Sequence, residues 1–275
     1  MQISAVYVEL FLVLCYTQNN MARIISFSNQ KGGVGKTTTC VNLAACLALH
    51  DKRVLIVDFD AQCNASSALG EFDKQPKKSV YDVLCSDLPA KDAIRKSDID
   101  TLDFIPASCD LAGAELELSQ IVIGRERVLQ EKLSEIEENY DFIFIDCPPS
   151  LGLLTVNALT ASNGVIIPIQ SEYYALEGLS QMMNTIKLVK KFLNKSLEVD
   201  GVVLTMFDSR SKLSKGVVEE IMKVFGDKVY STRIPRNIRL AEAPSYGKPV
   251  ILYDKKCAGA VAYEALAGEF SSKLK

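Results

Sequence analysis

Short apolar runs alternate with amphipathic stretches along most of the chain. Arg23–Ser28 (RIISFS), Arg53–Phe59 (RVLIVDF), Leu102–Pro106, Asp141–Asp146 (DFIFID), Gly164–Ile169 (GVIIPI) and Glu198–Met206 (EVDGVVLTM) read as strands. Several lack any polar face, the pattern of strands buried on both sides of a parallel sheet. Helical patterns lie between them. Lys36–Leu49 places Val41, Ala44, Ala45 and Ala48 on one face, and Arg125–Glu138, Tyr174–Leu193, Ser214–Phe225 and Gly259–Leu274 follow. This alternation predicts an α/β fold, a mostly parallel twisted sheet with helices on both faces. The polar stretch Glu71–Ser79 reads as a surface loop. No repeat, low-complexity tract or long linker divides the chain, so residues 21–275 are expected to form a single domain.

Residues 1–20 stand apart. Ala5–Tyr16 is apolar, but Glu9 interrupts it and no basic residue precedes it. It is too short to span a bilayer and lacks the charged start of a signal peptide. A second methionine, Met21, opens MARIISFSNQKGGVGKTT. Residues 1–20 are therefore expected to be an extension from an upstream start, outside the fold. With no other long apolar span, the sequence points to a soluble, cytoplasmic protein.

Composition narrows the class. The chain has 275 residues, 48% hydrophobic and 24% charged, which suits one large domain and excludes a disordered tail. A net charge of −3 excludes a simple polycation, so any nucleic-acid contact must be local. Eight cysteines form no C-x-x-C pair and supply neither a zinc nor a disulfide framework. They read as small buried hydrophobes in a reducing compartment. The single histidine, His50, reads as a helix-end residue.

The most informative chemistry follows the first strand, in Gln30-Lys31-Gly32-Gly33-Val34-Gly35-Lys36-Thr37-Thr38. Glycines let successive backbone N–H groups turn inward around phosphate oxygens, and the next helix presents its positive end to the same anion. Lys36 is placed to reach the β- and γ-phosphates, and the Thr37 hydroxyl to ligate Mg²⁺. Two carboxylate segments complete the constellation. Asp58 and Asp60 fall on one side of an extended chain at the end of RVLIVDF. Asp146 ends DFIFID as a Walker B aspartate does, holding Mg²⁺ directly or through water. Taken alone, each of the three also fits a cap or turn.

The usual phosphate loop has glycine where Gln30 stands, and Lys31 follows it. KGGVGKTT resembles the deviant Walker A motif of the ParA/MinD superfamily. The resemblance runs from Ala22 to about Lys273. It is closest to the ParA/Soj chromosome-partitioning branch in VDFDAQCNASSALG at 57–70, DCPPSLGLLTVNAL at 146–159 and IPRNIRLAEAPSYGKPVILYD at 234–254. It implies that Lys31 crosses a dimer interface to the partner's nucleotide, that Asp60 orients the attacking water, and that Asp58 lies near the metal. It places Pro235 and Asn237 over the purine, with Thr205-Met206 beside them. It further implies an ATP- and Mg²⁺-dependent homodimer that binds double-stranded DNA without sequence preference. A ParB-like partner stimulates its slow hydrolysis and releases it, so the protein is expected on the nucleoid.

Charge distribution bears on the same reading. Thr205–Lys256 holds eleven Lys and Arg against six Asp and Glu, a net +5, while the remainder carries −8. A basic face on an acidic protein is the footprint of phosphate-backbone contact. Arg210, Lys212, Lys215, Arg233, Arg236 and Arg239 are the candidates, with Arg210 and Arg239 placed best by the resemblance. A solvated basic face is the plain alternative. A MinD-like membrane ATPase is the runner-up function. The terminal AYEALAGEFSSKLK reads as a packed helix more than a membrane anchor, so no stable membrane association is expected. A nitrogenase-reductase-type redox enzyme would need cluster cysteines, for which Cys109 and Cys147 are available without the flanking pattern.

Overall fold

The computed structural model describes residues 21–172 and 175–274, with backbone alone at 175–177, 212 and 213. The expectations for residues 1–20, for a helix start at Tyr174 and for the Lys212 side chain lie outside the described residues. One sheet of eight strands carries the fold: β1 (Arg23–Phe27), β2 (Val54–Asp58), β3 (Arg95–Lys96), β4 (Leu102–Ile105), β5 (Phe142–Asp146), β6 (Gly164–Gln170), β7 (Glu198–Phe207) and β8 (Val229–Pro235). Their order is β3-β4-β2-β5-β1-β6-β7-β8. Every neighbouring pair is parallel except β3–β4.

Alternation within each strand sends successive side chains to opposite faces. Ile25, Phe27, Val54, Ile56 and Phe144 enter a core shared with α1 (Lys36–Leu49) and the C-terminal helix, Ala258–Lys273. Leu55, Val57, Ile143 and Ile145 face the other way, against α2 (Leu111–Ser119) and α3 (Leu153–Ala161). Farther along that face, Val165, Ile167, Val202 and Leu204 meet α4 (Ala175–Phe192) and α5 (Lys212–Phe225). The C-terminal helix, α6, buries Ala260, Tyr263, Leu266, Ala267 and Phe270. Among the described residues no helix is long and apolar enough to cross a membrane.

The α1 bounds and the predicted strand positions agree with the structure to within about a residue at each end. The helix expected over Arg125–Glu138 is shorter. Only Val128–Ser134 is helical, followed by a 3-10 turn at Glu137–Asn139. Asn157 of α3 intercepts the first turn, donating to the Arg125 carbonyl (2.8 Å) and accepting from the Leu129 amide (3.2 Å). Strands β3 and β8 are additional. The first has two residues, and the second (VYSTRIP) carries Ser231 and Arg233 outward, so neither shows an apolar run. Helices α2 and α3 are also additional.

Cysteine burial divides: Cys40, Cys46, Cys63 and Cys147 are buried, whereas Cys109 is exposed. His50 closes α1, as expected, and meets Glu264 at 2.6 Å.

Aromatic packing ties α6 to the sheet centre. The Phe270 ring lies 5.4 Å from Phe142 and 6.0 Å from Phe144, and Phe144 lies 4.9 Å from Phe27. Phe270→Ala is expected to cost about 3–5 kcal/mol, read as a lowered midpoint in chemical denaturation.

Candidate active site

The parallel strands bring their carboxyl ends to one edge. After β1 the chain moves through α1 to β2 on one side, and after β6 it moves through α4 to β7 on the other. A crevice opens where connections diverge in this way. The phosphate loop fills it. Gly33 (φ +72°) and Gly35 (φ +83°) take left-handed backbone, which side chains resist. The loop is braced from both flanks. Asn29 donates to Pro168 O (2.8 Å) and accepts from the Lys31 amide (3.0 Å). Thr205 Oγ1 donates to Val34 O at 2.7 Å.

Lys36 is buried at the start of α1, with Nζ donating to Lys31 O at 3.4 Å. Burial lowers its pKa, while the carboxylates of Asp146 and Asp60 pull the other way. Asp58 and Asp146 are direct cross-strand partners at the ends of β2 and β5, and both are fully buried. Burial raises the Asp146 pKa well above the usual carboxylate range, and Asp58 adds to the effect. Thr37 and Lys36 temper it, without an ordinary hydrogen bond to either Asp146 oxygen. A buried, unpartnered carboxylate facing a threonine hydroxyl is the hard oxygen donor set that suits Mg²⁺.

Asp58 is differently engaged. Its Oδ2 accepts from Ser66 N (2.8 Å) and Ser66 Oγ (2.6 Å), and its Oδ1 accepts from the Asp60 amide (3.3 Å). Burial still pushes its pKa up to about 6, with the Ser66 bonds opposing. These bonds tie Asp58 to the start of the short helix Asn64–Ala68, directly beside the Asp146 carboxylate. Asp60 opens onto the cleft, accepting from the Gln62 amide at 3.0 Å.

Two adjoining hollows match the two ends of a nucleotide. One, of about 410 Å³, is lined by Gly32, Gly33, Lys36, Thr37, Thr38 and Asp60. The other, of about 400 Å³, is lined by Thr205, Met206, Ile234, Pro235, Arg236 and Asn237. Gly35, Thr38, Met206, Leu240 and Ala241 border both. Pro235 and Asn237 thus sit in the apolar hollow, with the Asn237 side chain capping the next helix through the Arg239 amide (2.9 Å). Met206, at φ +49° where the β7–β8 register shifts, turns into the junction.

Lys31 lies outside the walls of the phosphate hollow. Its side chain is 39% exposed, and Nζ meets Glu172 Oε2 at 2.8 Å. Gln170 steadies Glu172 through the other carboxylate oxygen. Glu172 and Ser66 were not singled out in the sequence. Ser66 lacks any local signal, because its partner Asp58 lies eight residues away across a turn.

The basic segment is less free than its net charge suggests. Arg210, 89% exposed, pairs with Asp208 at 3.0 Å. Arg239 pairs with Glu242 (2.7 Å) and Asp254 (3.5 Å). Arg233 lies over the Phe207 ring at 4.5 Å, and Arg236 borders the base hollow.

A family model described as an AAA domain matches residues 22–199. The sporulation initiation inhibitor protein Soj of Bacillus subtilis (strain 168) is 56% identical over 252 residues, covering 92% of this chain and 99% of that protein. The chromosome partitioning protein ParA of Caulobacter vibrioides (strain NA1000 / CB15N) is 50% identical over 256 residues, covering 92% and 96%. Among solved structures, cobyrinic acid a,c-diamide synthase from Mycobacterium smegmatis with bound ATP analog and magnesium matches with a TM-score of 0.79 at 36% identity, covering 90% of this chain and 93% of that one. A phosphate loop with Lys31 on its rim, a Walker B carboxylate and these partitioning relatives lead to one assignment: the chain belongs to the ParA/Soj family of chromosome-partitioning ATPases.

Proposed function

We propose that the protein is an ATP-switched dimer that grips DNA while ATP is bound and lets go after hydrolysis. The observation that carries this reading is the place of Lys31. It projects from the phosphate loop, yet stands on the rim outside its own cleft, held by one exposed ion pair. Exposed pairs of this kind are worth about 1 kcal/mol or less, so a stronger anion displaces Glu172 readily. A second subunit facing this rim would offer its phosphates to Lys31. The ammonium group would then offset charge on the transferred phosphoryl, as an arginine finger does.

Within one subunit the roles divide. The loop amides and Lys36 bind phosphate, and Pro235 and Asn237 border the base. Thr37 and Asp146 would hold Mg²⁺, which supplies charge neutralisation between phosphate oxygens when bound. Asp60 accepts a hydrogen bond from, and so orients, the attacking water. Asp58 braces the Asp60 turn through Ser66.

DNA contact is assigned to Arg210, Arg236, Arg239 and Lys212. The acidic partners of Arg210 and Arg239 are exposed or half-exposed, so exchange for DNA phosphates costs little. Dimerisation would double the basic face and steepen salt dependence. A ParB-like partner with a basic segment suits the acidic remainder of the molecule. Association with the nucleoid follows from DNA binding. The MinD-like alternative is disfavoured by α6, whose bulky Tyr263, Leu266 and Phe270 are buried in the core.

Three outcomes test the proposal. Lys31→Ala is expected to keep ATP binding but lose ATP-dependent dimerisation in light scattering, with partner-stimulated hydrolysis reduced about a thousandfold. Asp60→Ala is expected to accumulate an ATP dimer retained on DNA, measured with ATP, ADP and no nucleotide against liposomes as the competing surface. Normal turnover by that variant would remove Asp60 from its role, and retention on liposomes would favour the MinD-like reading. Arg239→Ala is expected to weaken DNA binding and lower the salt slope by about one per subunit while sparing dimerisation. Equal loss of both would sink the patch assignment.

A further inference from the structure

The turn that presents Asp60 is held from outside by one ammonium group. After β2 the chain reverses through Asp60–Cys63, and Cys63 takes φ +54°, a conformation uncommon for a residue with a side chain. Lys74, twelve residues beyond Gln62, reaches back over this turn. Its Nζ donates to Gln62 O (2.9 Å), Cys63 O (3.3 Å) and Ser67 Oγ (2.9 Å). These three acceptors match the three N–H bonds of an ammonium group. Gln62 is also the residue whose amide donates to Asp60 Oδ1 at 3.0 Å. One residue therefore links the lysine to the carboxylate.

The placement is not explained by helix stability. Lys74 sits at the N-terminal end of the Asn64–Ala68 helix, where the helix dipole disfavours a cation. Its acceptors are instead the carbonyls and hydroxyl of the strained turn. The segment that carries it is anchored at several points. Cys109 N donates to Lys74 O at 2.9 Å, and Glu71 pairs with Arg95 of β3. Ser79 and Asp82 close its far end with a capping box. The Glu71–Ser79 stretch is thus a strap laid across the turn, more than a connecting loop. Gln62, Asn64 and Ser67 line the phosphate hollow, whereas Lys74 does not.

We propose that Lys74 is a positioning residue for ATP hydrolysis, fixing the Gln62–Cys63–Ser67 turn so that Asp60 faces the attacking water. This rests on the reading of Asp60 given above. Asp58 braces the same turn from within through Ser66 and the Asp60 amide. Lys74 braces it from the outer side, so the carboxylate is set between two clamps. Loss of the outer clamp removes no residue from the nucleotide walls and acts chiefly on the orientation of the reacting water.

The test compares Lys74→Met, Lys74→Arg and Asp60→Ala in the full chain with Mg·ATP. Lys74→Met is expected to lower hydrolysis at saturating ATP by about 10- to 100-fold, the penalty of a small misplacement near a reacting group. Affinity for a fluorescent ATP analogue is expected to hold, with the melting temperature shifted by less than about 4 °C. Lys74→Arg is expected to recover part of the rate. An unchanged saturating rate in Lys74→Met overturns the proposal, as does a joint loss of rate, affinity and melting temperature that arginine fails to relieve. Wild-type hydrolysis by Asp60→Ala would instead overturn the reading of Asp60, which separates the two failures.

Discussion

Asp58 and Asp146 stand opposite each other at the ends of adjacent parallel strands, both out of solvent. Burying two carboxylates side by side is costly: burial raises both pKa values, and Asp58 raises that of Asp146 further. The register of β2 on β5 imposes this pair, because a one-residue slip would send every side chain to the wrong face. The protein satisfies one carboxylate itself. Ser66 gives Asp58 two hydrogen bonds, and in doing so sets the start of the Asn64–Ala68 helix. Asp146 receives only the nearby Lys36 and Thr37. A divalent cation bound beside Asp146 would offset that cost. Linkage then makes ligand binding stabilise the native state.

From that pair the rest of the site follows outward. The Asp58 bonds fix where the chain turns at Asp60, and the Lys74 strap holds the turn's outer side. The phosphate loop is braced by Asn29 toward β6 and by Thr205 toward β7. Met206, next to Thr205, also borders both the phosphate hollow and the second hollow. Residues after β2 on one side of β1, such as Asp60 and Gln62, and Met206 of β7 on the other therefore line one cleft. Rigidity here is functional, since a donor array that is already in place does not reorganise during reaction.

The outer surface follows a different rule. Lys31, Arg210 and Arg239 each carry an acidic neighbour in the single subunit. Such pairs contribute little stability and are cheaply exchanged. In the proposed function they would keep these cations compensated until a larger anion, a nucleotide phosphate or a DNA backbone, took their place. The deep carboxylates are fixed, and the surface cations are exchangeable. That contrast suits the proposed nucleotide-controlled switch.

Much of this was legible in the chain itself. Parallel buried strands announce themselves as continuous apolar runs, and glycines with Lys36 and Thr37 between a strand and a helix specify a phosphate loop by local geometry. Asp60 and Asp146 were visible for the same reason, as polar residues at the ends of apolar strands. The edge strands β3 and β8 were not, because neither is buried on both faces. The net charge of Thr205–Lys256 was readable, but its pairing was not, since Arg239 meets Asp254 only after the chain folds back. The contacts of Lys74 were hidden in a stretch that read as plain surface loop. The sequence by itself determined the central strands, the phosphate loop and the carboxylates at the strand ends, because those depend on neighbours along the chain. Tertiary structure alone decided that Asp58 turns to Ser66, that Lys31 meets Glu172 across 141 residues, and that Lys74 grips the Asp60 turn. Those are contacts between side chains brought together only by packing, and no local pattern encodes them.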